Sequence, residues 1–315
     1  MIFCTLFNSK FLLKGLAMIF SLKEHAPESK IYVLCMDEET YDFFKKNHLE
    51  FDVIPINLTE FENNTLLELK KNRTFVEYCW TLTPCLIEYC LKKFKLNDCT
   101  YLDADLFFFS SPKKIFDRIG NNSVLITEHN YYPKYDQSKM SGIYCVQFMY
   151  FKNDSRGNEV LSWWKDKCLD WCFARFEDDK FGDQKYLDNW PSIFKSVKVH
   201  DKNIQCIAPW NIQNFFKENY FDDIVFYHFH FFDILSKSKI DIGFYQLNND
   251  VVKNIYYPYL QKLFEINSIY LSTKLLESST RTKRFGIFTK LKRMIKRTNN
   301  NINIYGKNFK YSKIF

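Results

Sequence analysis

The chain has 315 residues and a mass of 38.1 kDa, with 46% hydrophobic and 19% aromatic residues and only eight Gly and eight Pro. That composition excludes a disordered, collagen-like or mucin-like polypeptide, which would be poor in aromatics and rich in Gly, Pro or Ser. The formal charge of +7 is unevenly placed: eleven Lys and Arg follow Glu277 with no Asp or Glu among them, which leaves residues 1–277 at −4.

The apolar segment 1–22 is interrupted by Lys10 and Lys14 and lacks the apolar core of about 7–15 residues and the small-residue cleavage site of a signal peptide. No apolar run approaches the ~20 residues of a membrane span. A strand is expected over Ile2–Phe7, an amphipathic helix over 11–24 and a second strand over 31–36, with Asp37 capping a helix over 39–47. A third strand follows over 51–56 and a long helix over Phe75–Lys93, which Pro84 should kink or break. A fourth strand, 99–102, runs into Asp103-Ala104-Asp105. Strands alternating with helices imply an α/β fold with a mostly parallel sheet flanked by helices, and ligands at the carboxyl ends of the strands.

In the second half, strands are expected over 123–127 and 142–152, helices over 159–176 and 182–189, and an apolar strand over 225–232. On that strand His228 and His230 alternate with Phe and so share a face. The ten cysteines sit mostly in apolar runs, with no C-x-x-C. Cys168 and Cys172, four apart, read as buried thiols on one helix face or as a metal pair, and a reduced, cytoplasmic compartment is the simpler account. The economical organisation is one domain, 1–277, followed by a basic helical tail, 278–315.

Two aspartates separated by one residue between apolar stretches carry the most chemistry. Two ionised carboxylates leaving a core strand side by side need a positive partner. A divalent cation with oxygen ligands supplies it and keeps open positions for phosphate oxygens. The bland reading, two surface aspartates in a turn, loses ground because the pair closes a strand after three β-α units.

On these residues the chain resembles nucleotide-sugar-dependent glycosyltransferases of GT-A (Rossmann-like) fold, most like glycosyltransferase family 8 and its bacterial relatives, over most of residues 1–232. Besides the D-x-D, Phe3-Cys4-Thr5-Leu6-Phe7-Asn8-Ser9 resembles their first strand and nucleotide-contacting loop, and Val33–Asp37 their second strand. Phe181-Gly182-Asp183-Gln184-Lys185-Tyr186-Leu187 is similar to the D-Q-x-x-L segment of the sugar pocket, and His228-Phe229-His230 to the late H-F-x-G element. The resemblance implies transfer of a hexose or N-acetylhexosamine from a nucleoside diphosphate sugar, UDP-linked, to a hydroxyl of a glycan or lipid-linked acceptor, with a retaining outcome if the kinship to family 8 is close. It further implies Mn²⁺ or Mg²⁺ on Asp103, Asp105 and His228, with His230 as the fallback ligand. Thr5, Asn8, Asp37 and Ala104 would contact the nucleotide, and Asp183 and Gln184 the sugar at the catalytic centre. Departures are Phe231 at the Gly of H-F-x-G, no K-P-W after it (Lys237 or Lys239 could replace the Lys), and Tyr144-Cys145-Val146-Gln147 where N-x-G is usual.

Other residues keep two readings. Asp183 and Gln184 could simply cap the following helix. Arg73 could offset diphosphate charge with its fork of donors or be a loop cation. Trp190 and Trp210, beside Pro191 and Pro209, are the tryptophans best suited to stack on an acceptor sugar. In the tail, Ile287, Phe288, Leu291, Met294 and Ile295 fall on one arc of a helix and Lys290, Lys292, Arg293, Lys296 and Arg297 on the other side. This reads as a surface for anionic membrane, putting the protein at the inner face of a membrane, or as a helix packed on the body; no nucleic-acid motif accompanies it. Rival activities are a haloacid-dehalogenase-like phosphatase, whose D-x-D normally opens the chain, and a non-catalytic sugar-nucleotide- or lipid-binding descendant.

Overall fold

Alternate residues of the early strands are apolar on both sides, and the structure buries both. The computed structural model describes residues 1–47, 49, 51–200, 205–216, 220–236, 239–271 and 304–305. Strands β1 (Ile2–Phe7), β2 (Lys30–Cys35), β3 (Val53–Asn57) and β4 (Asp98–Leu102) run parallel in the order β3-β2-β1-β4. Phe3, Phe7, Ile31, Val33 and Cys35 face one apolar layer, whereas Cys4, Leu6, Tyr32 and Leu34 face the other. Burial on both faces is what a parallel sheet needs.

Chain reversal completes the sheet. Strand β5 (Leu106–Phe108) leaves it, whereas β6 (Val124–Glu128), β7 (Tyr144–Lys152) and β8 (Val197–Val199) extend it as β4-β7-β6-β8, with β7 antiparallel to both neighbours. The sheet is therefore mixed but mostly parallel, as the sequence implies. Strand β5 pairs antiparallel with β10 (Ile224–His228), beside β9 (Gln205–Ile207). A second small sheet joins β11 (Asp233–Ser236), β12 (Lys239–Asp241) and β13 (Ile304–Tyr305).

Five principal helices cover the sheet: α1 (Leu12–His25), α2 (Glu38–Lys46), α3 (Phe75–Lys93), α4 (Ser155–Asp170) and α5 (Tyr257–Ile266). The layer of Phe3 and Phe7 receives α1, α2 and α5; the layer of Cys4 and Leu6 receives α3 and α4. The helix α3 opens with a reciprocal capping box between Thr74 and Glu77 and runs through Pro84 without the break that proline suggested. Asp37 caps α2 through the Thr40 amide, as expected.

Helix α4 differs from its expectation at both ends. It starts earlier because Asp154 caps the Gly157 amide, and a Cβ at Gly157 would lie 2.1 Å from the Lys152 carbonyl oxygen, so only glycine fits. It ends at Asp170, where the Arg73 guanidinium takes the carbonyls of Cys168 and Leu169. The helix expected over 182–189 is a 3-10 turn, Lys185–Asn189. Of the tail, 278–303 and 306–315 lie outside the described residues, including the amphipathic segment 281–297; Ile304–Tyr305 pair with β12, so the tail returns to the body.

Candidate metal and sugar-nucleotide site

The Asp-Ala-Asp segment is the bend that takes the chain out of the main sheet at Leu102 and into β5. Register then delivers the third group. His228 stands opposite Leu106, and the Phe229 amide donates to the Asp105 carbonyl at 2.8 Å. One donor atom each of Asp103, Asp105 and His228 lies within 4.8 Å of the others, and His228 Nε2 is 3.1 Å from Asp105 Oδ1. His228 Nδ1 meets Gln147 Oε1 at 2.9 Å, and the Asp103 amide donates to the Gln147 carbonyl at 3.1 Å.

Charge at this bend is finely divided. Burial pushes the Asp103 carboxyl up to about 6, partly offset by His228. Burial acts on Asp105 too, but His228 and Lys14 outweigh it and hold its carboxyl well below the usual range. Burial disfavours a charged His228, yet the Asp105 and Asp103 carboxylates push its imidazole well above the ordinary histidine value. Lys14, on α1, donates to the Phe232 carbonyl at 2.6 Å and lies over the Phe11 ring.

Asp183 is near enough to Asp103 to feel its charge. It is buried, takes a hydrogen bond from Thr83, and is raised well above the carboxylate range by burial and then by Asp103. Gly182 before it has φ +55, and an added Cβ would press on the Trp80 ring at 3.2 Å. Gln184, half-buried, makes no side-chain cap to the 3-10 turn, so capping does not account for it. Lys185 and Asp188 instead latch the chain before β7: Lys185 Nζ is 2.8 Å from Asp188, whose Oδ1 accepts the Ile143 amide.

Several expected residues fall elsewhere. Thr5 has no exposed surface and shares the parity of Phe3 and Phe7, so it faces the apolar layer, with a buried hydroxyl that lacks a hydrogen bond. Arg73 is buried with its fork spent on Thr81 and two carbonyls of α4; it closes a helix end rather than meeting phosphate. Trp190 is fully buried against Phe151 and Trp164, which removes it as a sugar platform. Trp210 is buried too, its ring edge-on to His228 and His230. His230 is not on the strand, which ends at His228; it sits in the following turn, its Nδ1 3.2 Å from the Tyr245 hydroxyl. Phe231, at the Gly position of H-F-x-G, has φ +63, the left-handed conformation that glycine adopts freely. Lys237 lies outside the described residues, and Lys239 belongs to β12.

Others are where a ligand could meet them. Asn8 follows β1, half-buried, with a buried Oδ1 that has no partner. Ala104 forms the bend itself. Asp37 is engaged, accepting from Ser9 and Thr40, which ties the loop after β1 to the start of α2. Sequence reasoning missed Gln147, Thr83 and Tyr101, which hydrogen-bonds Asp103; Gln147 was visible only as a departure from N-x-G. A cleft of about 480 Å³ lined by Leu66, Glu88, Lys92 and Lys165 lies on the α3–α4 side and contains none of these residues.

No protein-family model matches the chain. It is 32% identical over 277 positions to the uncharacterized protein YfnD of Bacillus subtilis (strain 168), covering 83% of this chain and 88% of YfnD. The chain belongs to the YfnD family. Another similar protein of that organism, the uncharacterized YfnF, is 32% identical over 255 positions, covering 76% of this chain and 84% of YfnF. Among solved structures, the galactosyltransferase LgtC in complex with donor and acceptor sugar analogs superposes with a TM-score of 0.51 at 12% identity, over 84% of this chain and 96% of LgtC. This member of the YfnD family therefore has the GT-A fold. No helix among the described residues is long and apolar enough to cross a membrane.

Proposed function

We propose that the protein is a glycosyltransferase that moves a hexose or N-acetylhexosamine from a nucleoside diphosphate sugar, UDP-linked, to a hydroxyl of a glycan or lipid-linked acceptor. The observation that carries the reading is the meeting of two carboxylates and one imidazole at the carboxyl end of β4 in a GT-A sheet. The donor set fits Mn²⁺ or Mg²⁺: two carboxylates supply hard oxygens beside one imidazole, and three protein ligands leave positions for diphosphate oxygens. A bound ion there supplies Lewis-acid neutralisation of the leaving diphosphate.

The chain's own residues have distinct tasks in this reading. Asp103, Asp105 and His228 hold the ion, and Ala104 allows the close bend between its ligands. Asn8 Oδ1, buried and without a partner, accepts from a hydroxyl or N–H of the nucleoside. Asp37 acts indirectly, by shaping the loop that carries Asn8 and Ser9. Asp183 would hydrogen-bond donor hydroxyls, and Gln184 would lie beside the anomeric carbon, where an amide oxygen stabilises developing positive charge; a retaining outcome follows only from close kinship to family 8. The phosphatase reading fits poorly with a D-x-D that follows three β-α units.

Thermal unfolding with Mn²⁺ and a panel of nucleotide sugars, followed by UDP release with the best donor, tests the proposal. Stabilisation by one UDP-sugar and UDP release that needs Mn²⁺ support it; binding without turnover points to a non-catalytic descendant. The basic residues of 281–297 are proposed to hold the enzyme at the cytoplasmic face of an anionic membrane. Sedimentation with anionic vesicles tests this: a protein lacking 278–315 that sediments as the full chain does refutes it.

A further inference from the structure

We propose that Gln147 is the positioning residue that fixes the ring orientation and tautomer of His228 for metal binding, an inference that rests on the metal reading above. Gln147 lies on β7 with no exposed surface. The β4–β7 register pairs Leu102 with Phe148, which sets Gln147 beside the Asp-Ala-Asp bend. From there it touches both arms of the site: its main-chain oxygen accepts the Asp103 amide at 3.1 Å, and its Oε1 meets His228 Nδ1 at 2.9 Å.

Hydrogen-bond accounting sets the direction of that second contact. The Thr127 hydroxyl gives its single proton to the Cys145 carbonyl at 3.4 Å and so accepts from the Gln147 amide nitrogen at 3.3 Å. With its NH₂ turned to Thr127, Gln147 offers only an acceptor to the imidazole. His228 Nδ1 must then carry a hydrogen, which leaves Nε2 as the ring's coordinating atom. Nε2 faces Asp105 Oδ1 at 3.1 Å, an approach of two acceptors that is satisfied only by a proton or a cation between them. The chain Thr127–Gln147–His228 thus does for this ligand what a carboxylate or carbonyl behind a metal-bound histidine does elsewhere: it excludes the wrong tautomer and stops ring rotation.

The test compares wild type with Gln147→Leu and Gln147→Met, which remove the acceptor at similar volume, and Gln147→Glu, which keeps one. Mn²⁺ affinity is read by electron paramagnetic resonance, and the His228 ring nitrogens by ¹⁵N NMR of the Mg²⁺-loaded protein. Loss of the acceptor should weaken Mn²⁺ binding about 10–100-fold, with recovery in Gln147→Glu and an Nδ1–H signal in wild type and Gln147→Glu only. If wild type binds Mn²⁺ and the folded Leu or Met variant binds it equally well, this inference falls while the metal reading stands. If wild type binds neither ion, the metal reading falls and takes this role for Gln147 with it.

Discussion

Two groups of three potential metal ligands lie on or beside the same strand, β4, and they differ in nearly everything except proximity. The sulfurs of Cys4, Cys90 and Cys99, from β1, α3 and β4, lie within 4.8 Å of one another, as do the donor atoms of Asp103, Asp105 and His228. The thiols are fully buried in the layer beneath α3 and α4. Burial pushes the Cys4 and Cys99 thiols well above their ordinary range; burial acts on Cys90 too, but hydrogen bonds from Cys4 and Cys99 outweigh it and bring its thiol down to about 6, so one thiolate is favoured there and the set of three that a metal requires is not. The carboxylates sit where the chain leaves the sheet, half-buried, with a histidine and Lys14 beside them. Closeness of ligand atoms is therefore a weak criterion; access and compensating charge make the difference. Arg73 shows the same rule from the other direction, since a cation is tolerated beside the buried helix ends only with its donors engaged.

The largest test of this contrast is removal of a polar ligand. Asp105→Asn should lower Mn²⁺-dependent UDP release at least about 100-fold, a barrier increase of ~2.7 kcal/mol; a variant within threefold of wild type would place the chemistry elsewhere. Arg73→Met takes the guanidinium donors from the Thr81 hydroxyl and from the Cys168 and Leu169 carbonyls and should lower the unfolding free energy by about 2–3 kcal/mol in urea titrations, without the loss of Mn²⁺ binding that Asp105→Asn shows. Cys99→Ala deletes one buried sulfur and should cost about 1 kcal/mol of stability, with the Mn²⁺-induced rise in melting temperature retained. Loss of that rise would mean that the two clusters are coupled.

The smallest effect concerns Asp37. Burial alone would raise its carboxyl, but hydrogen bonds from Thr40 and Ser9 outweigh it and hold the carboxyl below the usual value. A depressed folded value gives stability that is present above the unfolded value, ~3.9, and is lost as the pH falls through the folded one. Asp37→Asn should therefore trail wild type in urea midpoint at neutral pH and converge with it in acid. A gap independent of pH would show that the hydroxyl and amide contacts, not the charge, hold the loop after β1.

The elements legible in the sequence were those whose pattern is local. Ile2–Phe7 alternates between two apolar layers, Phe75–Lys93 carries its own capping box, and Asp37 stands before a helix it caps. The Asp-Ala-Asp segment could be placed at a strand end because apolar residues bracket it. What failed depended on partners far along the chain. Arg73 read as a phosphate contact or a loop cation because nothing local shows that α4 ends against it, 95 residues later. His228 and His230 read as sharing a face, with His228 preferred as ligand only through the resemblance, because alternation assumes that the strand continues, whereas it turns after His228 and leaves Phe231 at positive φ.

Composition, periodicity and motif order thus determined the α/β class, the strand carrying the aspartates and the split between an acidic body and a basic tail. Tertiary structure alone decided which histidine meets those aspartates, through the pairing of Leu106 with His228, and which residue stands behind it, through the pairing of β4 with β7. The physical reason is range. Helix caps and strand alternation are set by neighbours a few residues away, whereas a ligand set is closed by strand register, and register is fixed only when both apolar layers pack at once.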